Sequence, residues 1–84
     1  MTTASTEQPD YFLDITKDVC PLTFVKTRLL IERMSSGQRA RVRLQGAEPL
    51  ENVPRSVAEL GHAVLALAPE EPGSAIYLLD IRKA

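Results

Sequence analysis

The sequence predicts a two-layer α/β sandwich, a four-stranded mixed sheet with both helices on one face, in the order β-α-β-α-β-β. Three observations carry that prediction. Residues 39–44, R-A-R-V-R-L, alternate strictly, with Ala40, Val42 and Leu44 on one side and Arg39, Arg41 and Arg43 on the other. Residues 21–34 repeat apolar side chains at helical spacing between a proline and S-S-G. Two apolar runs, 63–68 and 75–81, flank the turn sequence P-E-E-P-G-S. Two helices cannot cover both faces of such a sheet, so one face is expected to stay open.

The elements follow in order. Residues 1–9 are polar and aperiodic and read as a disordered tail, leaving 10–84 as one domain. Y-F-L-D-I (11–15) is a short strand with Tyr11, Leu13 and Ile15 on one face. Pro21 suits the first position of a helix that runs to about Met34, because its missing N–H costs nothing there. Thr23, Phe24, Thr27, Leu30, Ile31 and Met34 form its core stripe, and Gly37 follows where positive φ is needed. Residues 45–51 read as a loop that Glu48 and Glu51 help to solvate. A second helix starts from Asn52 as N-cap, tolerates Pro54 in its first turn, buries Val53, Val57 and Leu60, and ends at Gly61. Strands joined through helices are expected to run parallel, and the last two to form an antiparallel hairpin.

Composition narrows the chemistry. The 84 residues carry a formal net charge of −1, which gives no global attraction to nucleic acid or anionic membranes. No apolar run approaches the roughly 18 residues of a membrane span. One cysteine cannot form an intramolecular disulfide, so a reducing cytoplasm is the expected compartment. One cysteine and one histidine cannot fill a tetrahedral zinc site, and glycine-rich phosphate loops are missing. His62, at a helix-to-strand corner, receives no catalytic role.

Attention therefore falls on Cys20, directly before the first helix. If Cys20 is the N-cap, its sulfur faces amides of Leu22 and Thr23 that lack intrahelical partners. The helix dipole adds roughly half a positive charge at that end. Both effects lower a thiol pKa and favour the nucleophilic thiolate. Lys17 would assist and Asp18 would oppose. The alternative is an inert, packed thiol, since free cysteines commonly behave as small hydrophobes.

These residues also resemble a family. Leu13-Asp14, Cys20-Pro21, an amphipathic helix, N-V-P-R-S (52–56), G-H-A-V (61–64) and a closing strand pair are similar to the TusA/SirA-like sulfur carriers. The resemblance covers nearly all of residues 11–83. It implies that Cys20 carries sulfane sulfur as a persulfide, taken from a cysteine desulfurase or rhodanese-like donor and passed to an acceptor protein. It implies a relay protein rather than a self-contained enzyme, with no cofactor and no metal. The chain departs from the family's C-P-x-P pattern, reading C-P-L-T, so that Thr23 supplies an N–H where the second proline would have none. Lys17 stands where the family often has glycine.

Two surfaces are candidate partner sites. Leu22, Val25 and Leu29 form a second apolar stripe on the first helix, which is either the flank of a broad core or a docking patch. Arg39, Arg41 and Arg43 form either a solvated sheet face or a site for an acidic partner. A non-catalytic interaction or redox-regulatory module on the same fold is the competing functional class.

Overall fold

The computed structural model describes residues 9–19 and 21–84. The expected disordered tail therefore lies, apart from Pro9, outside the described residues. Six elements follow in the expected order. They are β1 (Tyr11–Asp14), α1 (Leu22–Arg33), β2 (Arg39–Gln45), α2 (Ala47–Glu59), β3 (Ala63–Pro69) and β4 (Ile76–Arg82).

The sheet order is β1-β2-β4-β3. β1 and β2 pair in parallel, with Leu13 opposite Val42. β4 pairs antiparallel with both β2 and β3, setting Val42 opposite Leu79 and Val64 opposite Ile81. β2 and β3 thus share a direction but never touch, because β4 lies between them. Ala40, Val42, Leu44, Leu79 and Ile81 point from the central strands into a core closed by Leu30, Ile31 and Met34 of the α1 segment and Val53 and Val57 of α2. Both helices sit on that face, and the arginine side of β2 stays open, as the alternation predicts.

α1 buries Thr23, Thr27, Leu30 and Ile31, and the adjoining Met34 is buried too; Phe24 is only half-buried. Buried Thr27 satisfies its hydroxyl by donating to the Thr23 carbonyl at 2.8 Å, which lets a polar residue occupy the core stripe. α1 ends when Met34 turns extended, and Gly37 takes its positive φ of 88° three residues later.

α2 is capped at Gly46, six residues before the expected N-cap Asn52. Residues 47–51 are helical rather than loop, so Glu48 and Glu51 lie on the helix. Pro49 occupies its third position, where the missing N–H would lack an intrahelical partner in any case. Gly46 caps the helix at φ 108°, and a Cβ there would meet the Pro49 ring at 3.3 Å. Asn52 becomes an interior residue whose Oδ1 accepts from Arg55 at 2.8 Å. Leu60, expected in the core, is exposed beyond the last turn. Gly61 (φ 95°) closes the helix, its N–H bonding the Ala58 carbonyl while that of His62 bonds Val57. Those two bonds are the paired closure that left-handed glycine permits.

Candidate functional site at the head of the first helix

The parallel β1–β2 pair delivers the chain to the sheet end where α1 starts. Leu13-Asp14 does local work there. Leu13 packs against the core, while the Asp14 carboxylate accepts from the Thr16 N–H at 2.9 Å and the Thr16 hydroxyl at 2.7 Å. This side-chain turn folds the chain out of β1. Arg43 of β2 reaches the second Asp14 oxygen at 3.0 Å and grips Glu70 through two further bonds of 2.8 and 3.1 Å. The Thr16 bonds, then Arg43, hold the Asp14 carboxyl below its ordinary pKa. Arg43 likewise lowers that of Glu70.

A carboxylate whose folded pKa is depressed contributes fully above its unfolded value and loses that contribution as pH falls through the folded one. The Thr16 amide resonance is therefore expected to titrate with a midpoint below about 3.9, the free aspartate value. Asp14→Asn should remove that titration. A midpoint at or above the free value would show that the turn does not depend on the carboxylate.

At the helix start the structure corrects the expected frame by one residue. Pro21 (φ −90°, ψ 7°) is the N-cap, not the first helical residue, and no side chain caps the helix. The Leu22 N–H donates to the Val19 carbonyl at 2.7 Å, and the Pro21 carbonyl accepts from the Val25 N–H at 3.0 Å. A tight bonded step thus precedes the α-helix and uses the Leu22 amide, which removes it from the donors expected to face sulfur. Thr23 moves to the second helical position and is fully buried. Cys20 itself lies outside the described residues. Its chain neighbours Val19, Pro21 and Leu22 are all exposed.

The charges that the sequence left opposed are now assigned. Asp18 is paired with Lys26 of α1 at 2.9 and 3.0 Å, so its negative charge is offset. Lys17 is exposed. Lys26 is a residue that sequence reasoning missed, because its partner is eight positions back, before the start of α1.

The second stripe of α1 faces solvent. Leu22, Val25 and Leu29 are 47%, 41% and 55% exposed, far from the values of core residues. Leu29 also lines an open groove of about 230 Å³ with Phe12, Leu13, Lys26, Leu30 and Arg33. The arginines differ. Arg41 forms two bonds with Asp80 at 2.8 and 3.1 Å and Arg43 bridges Asp14 and Glu70, so both guanidinium groups are engaged within the chain. Arg39 is likewise not free. Among the described residues, no group of three or more His, Cys, Asp or Glu side chains could hold a metal ion, and no helix is long and apolar enough to cross a membrane.

A β-α-β-α-β-β sandwich with an exposed apolar stripe that begins two residues after the chain's one cysteine defines a small thiol-bearing α/β protein. Comparison with known proteins then makes the assignment specific. The family model "Sulfurtransferase TusA" matches residues 11–82, and the chain belongs to that family. A protein of Archaeoglobus fulgidus named "Putative sulfur carrier protein" is 41% identical over 71 residues, covering 84% of this chain and 78% of its own. One of Thermotoga maritima with the same name is 31% identical over 70 residues, covering 83% and 86%. The solved SirA-like protein of Desulfitobacterium hafniense superposes with a TM-score of 0.72 at 14% identity, covering 86% of this chain and 95% of that one, which supports the fold.

Proposed function

We propose that this protein is a sulfur carrier that relays sulfane sulfur as a persulfide on Cys20, from a desulfurase or rhodanese-like protein to an acceptor protein in a reducing cytoplasm. The observation that carries this reading is a family match spanning the whole fold and enclosing the chain's one cysteine, two residues before α1. In the loading step the Cys20 thiolate attacks the terminal sulfur of the donor persulfide. A new S–S bond forms on Cys20, the donor's S–S bond breaks, and the donor cysteine leaves as a thiolate. The acceptor thiolate repeats the exchange, so neither step needs an external oxidant.

The local charges favour this chemistry. The positive end of α1 stabilises an anion placed before it, and the Lys26–Asp18 pair limits the nearest opposing charge. Pro21 fixes the helix start and Lys17 adds positive charge on the approach. The Leu22, Val25 and Leu29 stripe is the surface on which donor and acceptor dock, since exchange needs two thiols in contact. Arg41 and Arg43 contribute less to docking, because their charges already have partners in the chain, and Arg39 is not free either.

The test is loading by a cysteine desulfurase with cysteine, read by mass spectrometry of the intact chain and its peptides. An added mass of about 32 Da, one sulfur atom, is expected on the Cys20 peptide and is absent in Cys20→Ser. Wild-type protein that stays unmodified under conditions that load an established carrier would favour the non-catalytic interaction module instead.

A further inference from the structure

The two edges of the sheet are built differently. β1 is four residues long and ends in Asp14, whose charge is tied to Arg43. A short, charged edge is how sheets discourage further pairing. β3 is seven residues long, A-V-L-A-L-A-P, and among the described residues pairs only with β4; its edge carries a bulge at Leu65 and ends in Pro69, but it has no charged residue. Its exposure is two-sided. Val64 and Leu67 stand opposite Ile81 and Leu79, on the helix side, yet remain 39% and 40% exposed. Leu65, the extra residue at a register shift between Val64 and Ala66, is 41% exposed and borders Arg39, Arg41 and Asp80 on the open face. Leu60, at the end of α2 just before β3, is exposed as well.

We infer that the β3 edge pairs antiparallel with β3 of a second copy of this chain, joining two four-stranded sheets into one across a twofold axis near Ala66. The occupant is argued from the strand and its ends. A seven-residue apolar strand is complementary to itself, and a twofold interface requires that the same patch serve both sides. Centring on Ala66 places Ala63 opposite Pro69 of the second copy and His62 opposite Glu70 of the second copy. The start of β3 lies beside exposed Arg82, which stands across from Ala63 on β4, while its end leads past Glu70, whose charge Arg43 already holds, into exposed Glu71. Antiparallel pairing therefore brings the basic end of each copy to the acidic end of the other. A parallel arrangement would set like charges together. The net charge of −1 opposes association only weakly.

Sedimentation of the full chain in reductant, which prevents disulfide-linked dimers, tests the pairing. The wild type is expected to reach twice the chain mass as concentration rises to millimolar. Ala66→Lys places two ammonium groups at the axis and should raise the dissociation constant by about a hundredfold. Leu65→Lys should weaken it in the same direction, and far-UV circular dichroism checks that both variants fold. A wild type that stays monomeric at millimolar protein overturns the inference. So does a dimer that persists unchanged in whichever lysine variant remains folded.

Discussion

Leu29→Glu and Leu29→Lys are each expected to slow sulfur transfer from the donor protein by about 30-fold, while the melting temperature stays within a few degrees of wild type. The first expectation follows from what a buried anchor contributes to a protein interface. A residue central to docking costs about 2 kcal/mol or more when its contact is lost, and each 1.4 kcal/mol is roughly tenfold. The second follows from exposure. Leu29 is 55% exposed in the free protein, and surface substitutions usually change stability by no more than about 0.5 kcal/mol. Position 29 is chosen over 22 or 25 for its distance from the helix start, about 10 Å along the axis at 1.5 Å per residue. A charge there perturbs the thiol less than one in the first turn. Both signs are needed because an apolar contact is broken by either charge. If lysine slows transfer and glutamate speeds it, the partner reads charge rather than apolar surface. A fall in stability matching that of a core variant would mean that the stripe belongs to the core.

Leu44→Ala should show the opposite pattern, a large loss of stability at a site remote from any partner. Leu44 is fully buried, at the end of β2 where α2 closes over the sheet. Removing such a side chain costs about 2–5 kcal/mol, the transfer energy of the lost methyl groups plus the cavity left behind. A chain of this size has a total stability of roughly 5–10 kcal/mol. The variant should therefore melt at least about 8 °C lower, given roughly 4–8 °C per kcal/mol in small domains. Calorimetry checks this directly. A shift of only a degree or two would show that the α2–β2 contact is looser than the structure has it.

Much of the fold was legible because its signals are local. Strict alternation in R-A-R-V-R-L assigns β2 a buried and an open face, and both are found. The α1 core stripe is read correctly at Thr23 and Thr27, although threonine is a weak core signal. The start of α2 departs from the loop expected over residues 45–51, because Pro49 in the first turn lacks only a donor that the helix does not use. Leu60 keeps the i, i+7 spacing from Val53 but lies one residue past the end of α2, where helical spacing no longer sets a face.

The site was legible in part. The pairing of Leu13-Asp14 with Cys20-Pro21 could be read directly, but the reason for the aspartate could not. Its hold on Thr16 is local, while its bond to Arg43 depends on the parallel register that sets residue 14 beside residue 43. The frame at the helix head shifted by one residue because the bond from Leu22 to Val19 competes with an ordinary N-cap. Sequence spacing does not resolve that competition.

The sequence by itself determined the element order, the faces of β2 and the family, because alternation, helical spacing and the C-P step depend only on neighbours along the chain. Tertiary structure alone decided that β4 lies between β2 and β3, that β3 becomes an exposed edge, and that Lys26 offsets Asp18. Those outcomes are set by which strands share hydrogen bonds and which helix faces find a cover, and contacts between distant residues leave no periodicity to read.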